Sequence, residues 1–260
     1  FFEETQGTAL FKQYIWASGN SGFALTGVGR NPQEYPTVSI ENGIDGSRAI
    51  KLETKSTGQF GETVKMPIAA GNLFLGSFDV NNAVQKPLKA TRFGLPFGKK
   101  PLQLKGYYKY TPGTQPFKAK DKNGNTVTIP GQEDEGDIYA VLYEAAELDG
   151  QALDGNNVLT SKNIVALARV EVEKKDEFTA FHVDFHYGSR IPIDWPKFIR
   201  DQRDPSDDGT APYLSFSEEK MKNYEYNLAV VFTSSKYGAY FAGSVGSTLC
   251  IDKVEIVCEK

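Results

Sequence analysis

What most limits the fold of this chain is the scarcity of helical pattern. Few runs of twelve residues carry apolar side chains at i, i+3, i+4 and i+7 without an interrupting Gly or Pro. Short segments rich in Tyr, Phe, Val and Ile recur instead between turn-forming clusters, at residues 47–54, 72–80, 103–110, 126–129, 137–144, 163–172, 179–187, 226–233 and 247–258. Strands spaced by roughly 8 to 20 residues predict an all-β fold, an antiparallel β-sandwich. Only residues 145–148 and 218–222 read as short helices, which disfavours a doubly wound α/β enzyme. No repeat or low-complexity linker divides the 260 residues, so one domain over 1–260 is expected.

Two His and two Cys restrict the chemistry further. A four-cysteine zinc site is impossible, and a mixed one would require Cys250 and Cys258 to meet the sequence-distant His182 and His186. The two cysteines share one face of a single predicted strand about 26 Å apart, too far to bridge if that strand is continuous. With 29 basic and 33 acidic residues the net charge is -4. Without a Lys/Arg-rich face, nucleic acid is not an expected partner. No run approaches the roughly 20 apolar residues of a membrane span, and the opening Phe1-Phe2-Glu3-Glu4 is not a signal peptide.

Several local patterns resolve as turns. Asp121-Lys-Asn-Gly-Asn125 begins like a calcium loop, but Thr126 follows where glycine is required, so a hairpin tip with an Asn-Gly turn is expected. Gly27-Val28-Gly29 lacks the flanking strand, helix and third glycine of a dinucleotide fold. Residues 195–209 mix both charges with Pro and Gly and read as a long exposed connection.

Strand parity sorts the candidate site residues. In 137–144, Asp137, Tyr139, Val141 and Tyr143 share one face, while Ile138, Ala140 and Leu142, with terminal Glu144, form an apolar one. Tyr108 and Tyr110 share a face opposite Tyr107 and Lys109. Sugars present apolar C–H faces and many hydroxyls, so aromatic rings beside fixed Asp, Asn, Arg or His groups suit them. The Tyr139/Tyr143 face with Asp137 is thus a candidate platform, as is Tyr108. His182, Asp184 and His186 form a polar stripe opposite Phe181, Val183, Phe185 and Tyr187. Successive members of that stripe lie nearly 7 Å apart, wide for one metal ion, so it reads as a solvated or ligand-contacting face. Trp16 and Trp195 flank loop-forming residues, and Arg92 and Tyr237 are further rim candidates.

Five ordered segments resemble a known family. They are Ala70-Gly-Asn-Leu-Phe-Leu-Gly76; Phe93-Gly-Leu-Pro-Phe97; Leu104-Lys-Gly-Tyr-Tyr-Lys-Tyr110 with Thr111-Pro-Gly113; Asp137-Ile-Tyr-Ala-Val-Leu-Tyr143; and Phe232-Thr-Ser-Ser-Lys236 running through Gly246-Ser-Thr-Leu-Cys-Ile-Asp252. Together, over roughly residues 45–258, they resemble the C-terminal "putative carbohydrate metabolism domain" of surface and secreted proteins from polysaccharide-degrading gut anaerobes. The resemblance implies a β-jelly-roll similar to carbohydrate-binding modules, carried behind an immunoglobulin-like domain and a lipoprotein signal that would lie upstream. It also implies a location outside the cytoplasm, at the outer-membrane surface or secreted. Jelly-roll binding modules often carry a structural calcium, for which Glu3 and Asp252 are the matching positions; no other cofactor is implied.

Glycosidic hydrolysis would require two carboxylates roughly 5–10 Å apart, for which Asp137 and Asp184 are the pair to test. There is no Gly-x-Ser-x-Gly elbow. The expectation is therefore a non-catalytic glycan-binding domain, with a hydrolase or an adhesive surface module as alternatives. It would be a monomer or would pack against other domains of its own polypeptide.

Overall fold

The computed structural model describes residues 3–5, 12–145, 148, 152–204 and 209–260. Eight strands form the sandwich: β1 Ala49–Glu53, β2 Asn72–Phe78, β3 Pro101–Thr111, β4 Asp137–Glu144, β5 Ile164–Val170, β6 Lys175–Asp184, β7 Tyr226–Thr233 and β8 Thr248–Cys258. The front sheet runs β6-β3-β8-β1 and gains an edge strand, Thr37–Ile40, beside β1. The back sheet runs β5-β4-β7-β2, extended by Trp16–Ala17 beside β2 and His186–Tyr187 beside β5. All these pairings are antiparallel. The interleaving of strands between two four-strand orders is that of two Greek keys, a jelly-roll.

Side chains of alternate parity meet between the sheets. Leu104, Tyr108 and Tyr110 of β3 and Leu249 and Ile251 of β8 pack against Ile138, Ala140 and Leu142 of β4 and Leu228, Val230 and Phe232 of β7. The front sheet then follows the half-buried pattern, its β3 alternating between buried and partly exposed residues. The back sheet does not, because β4 is buried at every position. Its outer face carries a second core, in which Phe74, Tyr139, Val141, Tyr143, Leu167 and Val231 pack under connecting segments. The near-continuous apolar runs Ile164–Ala168 and Leu228–Phe232 match burial on both faces.

Two local outcomes differ from the sequence expectation. The strand expected over 179–187 ends at Asp184. Phe185 is buried, its N–H donates to Leu102 O, and His186–Tyr187 crosses to the back sheet. The edge strand Thr37–Ile40 and the short helices Asn20–Ala24 and Gly58–Thr63 carried no periodic signal long enough to read. The segment 145–148 lies partly outside the described residues.

The helix Glu218–Lys222 is present, capped by the Ser217 side chain, which accepts from Lys220 N–H. The expected hairpin is also present: Lys118–Lys120 pairs with Thr126–Thr128, and Asp121 Oδ1 accepts from the N–H groups of Asn123 and Asn125. Gly124 there has φ 74°, a left-handed turn position that glycine adopts without penalty.

Candidate functional site

The outer face of the back sheet is built by strand register. Asp137 of β4 lies opposite Thr233 of β7, Tyr139 lies between Val231 and Arg169, and Val231 in turn faces Phe74 of β2. Arg169 is the diagonal neighbour of Asp137, within reach for a long side chain. Its Nε and Nη2 donate to Asp137 Oδ1 and Oδ2 at 2.9 and 2.7 Å, a bidentate pair with side chains only 18% and 4% exposed. The Arg169 guanidinium also sits 6.0 Å from the Tyr139 ring centre. Burial opposes its charge, but the Asp137 carboxylate outweighs burial and holds Arg169 above the usual arginine range. Burial likewise raises the Tyr139 hydroxyl well above the ordinary tyrosine range, and Asp137 adds to it.

Connecting segments fold over this floor and leave a cavity of about 200 Å³. Phe60 and Met66 come from the helix Gly58–Thr63 and the turn after it, Leu88 and Phe93 from the 87–93 segment, Trp195 and Arg203 from the long connection, and Tyr240 and Phe241 from the stretch after β7. The Arg203 guanidinium stacks 4.4 Å from the Trp195 ring centre, and its Nη1 donates to Tyr240 Oη at 2.6 Å. The Trp195 Nε1–H is buried and has no hydrogen-bond partner among the described residues. Phe60 is 41% exposed and so sits where the cavity reaches the surface. A second, shallower depression of about 340 Å³ lies between the 113–117 and 128–133 segments, where Phe117 is the one lining aromatic ring among the described residues.

The polar support beneath the 234–247 segment is a buried carboxylate. Asp134 Oδ2 accepts from Ser235 Oγ at 2.6 Å, Ser247 Oγ at 2.7 Å and Ser244 N–H at 2.8 Å. Ser235 and Ser234 also share hydrogen bonds with Thr54 on the segment after β1. Burial pushes the Asp134 carboxyl up to about 6 despite the hydrogen bonds that favour its charge.

The structure redistributes the sequence candidates. Asp137, Tyr139 and Trp195 converge on the cavity. Tyr143 does not: it is fully buried, donating to Phe93 O at 2.6 Å and accepting from Asn227 Nδ2 at 3.0 Å, so it is a core residue and no platform. Tyr108 is also core, because its face points between the sheets, and it accepts from Glu173 N–H. Glu144, the charged residue that ends the apolar face of its strand, is buried and paired with Lys220 at 2.5 Å. Trp16 packs against Phe232 at the margin of the inter-sheet core. Tyr237 leans on Trp195 and Phe198 from outside the cavity lining, and Arg92 is exposed and paired with Asp79.

His182 and His186 do not form one stripe. Both are exposed, but the first lies on the front sheet and the second on the back, where it bonds Ser189 Oγ. Asp184 stands opposite Gln103 at one end of β3 and accepts from its amide. Asp137 adjoins the other end, where the Tyr110 hydroxyl donates to Ser234 O beside Thr233. Gln103 and Tyr110 are about 23 Å apart along an extended strand, so the two carboxylates are too distant for a glycosidase pair.

Asp252, the other position expected to hold calcium, anchors a turn in this structure. Its Oδ2 accepts from Ile44 N–H and Ser47 Oγ and its Oδ1 from Lys253 N–H, which fastens the 43–47 turn. The side chain of Glu3 lies outside what is described, and no group of three His, Cys, Asp or Glu side chains suited to a metal occurs among the described residues. Both cysteines are free, Cys250 buried.

Sequence reasoning missed Arg169, Phe60, Phe74, Arg203 and Tyr240. Arg169 had a signal, a lone charge ending the apolar run Ile164–Ala168. The others reach the cavity through loop packing that periodicity does not encode.

Sheet order and cavity together define a jelly-roll β-sandwich with a loop-built aromatic pocket on the outer face of one sheet. The chain belongs to the family described as "putative carbohydrate metabolism domain", which matches residues 1–257. It is similar to the structure of a putative glycoside hydrolase from Bacteroides thetaiotaomicron, at 43% identity and a TM-score of 0.80, over 100% of this chain and 67% of that one. A second, a putative glycoside hydrolase from Bacteroides vulgatus, is 36% identical with a TM-score of 0.76, covering 98% of this chain and 89% of that one. No curated protein matches the chain significantly. Among the described residues no helix is long and apolar enough to cross a membrane.

Proposed function

We propose that this chain is a non-catalytic carbohydrate-binding domain, folded as one unit over residues 1–260, that holds part of a saccharide in the cavity above β4, β5 and β7. As part of a bacterial protein of polysaccharide use, it would act outside the cytoplasm. The observation that carries this reading is the lining itself: aromatic rings surround a floor of Tyr139 and the Asp137–Arg169 pair. Aromatic surface against sugar C–H faces, with a few fixed charged groups to orient hydroxyls, is what saccharide recognition uses.

Hydrolysis fits less well. Asp137 is the one carboxylate among the described lining residues, and both its oxygens are held by Arg169. A glycosidase needs one carboxyl protonated and a second as nucleophile or base. The Bacteroides structures described as putative glycoside hydrolases support a role in saccharide chemistry, and the cavity supports binding as that role. Affinity electrophoresis in gels containing plant and host polysaccharides tests the proposal. Retardation by at least one polysaccharide, abolished in Trp195→Ala with unchanged circular dichroism and accompanied by no release of reducing sugar, is expected. Release of reducing sugar that stops in Asp137→Asn would overturn it in favour of an enzyme.

A further inference from the structure

The cavity is unusually poor in unengaged polar groups for a site that would enclose a bare sugar. Of the nine aromatic residues lining it, six are Phe, which have no polar atom. Most of its other polar side chains are already hydrogen-bonded within the protein, the buried Trp195 Nε1–H being unpartnered among the described residues. Asn72 Oδ1 accepts from Gly19 N–H, Thr57 donates to Met66 O, Thr233 donates to Ser235 O, and Asn156 Nδ2 donates to Asp154. Both oxygens of Asp137 are engaged by Arg169. A pyranose carries several hydroxyls, and each one buried without a partner lowers affinity by roughly tenfold or more. A bare ring is therefore a poor occupant.

Two groups on the floor remain available. The Tyr139 hydroxyl has no hydrogen bond among the described residues, nor has Nη1 of Arg169, whose Nε and Nη2 hold Asp137. They belong to residues directly opposite each other across β4 and β5. With Asp137 engaged by Arg169, these two neighbouring residues leave donors on the floor, complementary to a ligand with an apolar body and one acceptor such as an ester carbonyl. The volume agrees: about 200 Å³ exceeds the roughly 150 Å³ in which an apolar cavity already binds benzene.

We infer that the cavity receives an aromatic acyl ester substituent carried by the saccharide, with its carbonyl at Tyr139 and Arg169 and its ring among the phenylalanines. The sugar itself would sit outside, near exposed Phe60 and Ala239. The inference rests on the carbohydrate-binding reading and narrows it to esterified glycans.

Isothermal titration with three probes separates the two ideas: a feruloylated arabinoxylan oligosaccharide, the same oligosaccharide after saponification, and ethyl ferulate. The feruloylated form is expected to bind at least about tenfold more tightly than the saponified one, and ethyl ferulate to compete with it. Ala239→Trp, which places bulk at an exposed position of the lining, should abolish that preference. Tyr139→Phe should reduce it by about three- to tenfold, the loss of one hydrogen bond. Equal binding of the saponified oligosaccharide would overturn the ester assignment and leave carbohydrate binding standing. Binding of ethyl ferulate with no gain from any attached saccharide would keep the cavity assignment and overturn the carbohydrate reading. Binding of none of the three would overturn the ester assignment.

Discussion

The outer faces of the two sheets start from the same two-residue period and end in opposite environments. On the front sheet, Lys105 of β3 and Glu255 of β8 pair at 3.0 Å with side chains 42% and 59% exposed, and His182 beside them faces solvent. On the back sheet, Asp137 and Arg169 form a closer pair, at 2.7 Å, but loops cover it and the surrounding face is apolar. The front face keeps ordinary surface chemistry. The back face acquires a low-dielectric floor, where charge, hydrogen bonding and aromatic contact are all stronger than in water. What makes one face a candidate site is the segments that fold over it.

Breaking one partner of each ion pair gives the largest expected contrast. Arg169→Met leaves Asp137 buried without compensation and should lower stability by about 3–5 kcal/mol in urea unfolding. Lys105→Ala should change it by less than about 1 kcal/mol. Equal effects would erase the distinction between the faces.

The next effect is pH-dependent and belongs to Asp134, beneath the loops that cover the back face. Its carboxyl lies near 6 in the folded protein and near 3.8 unfolded, so the native state binds the proton more tightly. This group's contribution to stability is therefore full below about pH 4, falls between about pH 4 and 6, and is flat above. The loss reaches roughly 3 kcal/mol at most. Comparing thermal unfolding of the wild type with Asp134→Asn from pH 4 to 7 isolates it. The difference between the two curves should shift across that window and level off beyond it, whereas a constant difference would contradict the assignment.

A smaller contrast sets Tyr143 against Tyr107. Tyr143→Phe strands the Phe93 carbonyl and Asn227 amide in the buried layer and should lower stability by about 1–3 kcal/mol. Tyr107→Phe, on the partly exposed front face, should stay within about 0.5 kcal/mol. Chemical denaturation of the two variants side by side checks both values.

Much of this architecture was legible in the residues. The alternation of Ile138, Ala140 and Leu142 with Asp137, Tyr139 and Tyr143 correctly marked which face meets the other sheet. Asp137 and Tyr139 were candidates by strand parity and Trp195 by its loop position, and the structure brings all three to one cavity. The burial of Tyr143 was not legible, because a Tyr at every second position suits both a wet face and one roofed by loops. Only the neighbouring runs Ile164–Ala168 and Leu228–Phe232, apolar at both parities, hinted at the roof. The histidine stripe failed for a different reason. A strand period assumes one continuous strand, and here the chain changes sheet at Phe185, whose buried ring and bond to Leu102 fix the crossing.

The two tryptophans offer the most direct test, since each contributes one indole N–H signal and they sit in different places. Trp195 lines the cavity, while Trp16 packs at the margin of the inter-sheet core. Titrating a bound saccharide into 15N-labelled protein should move the Trp195 indole resonance and leave that of Trp16 in place. Perturbation confined to Tyr107, Phe178 and His182 of the front sheet, with both indoles unmoved, would contradict the assignment of binding to the covered face.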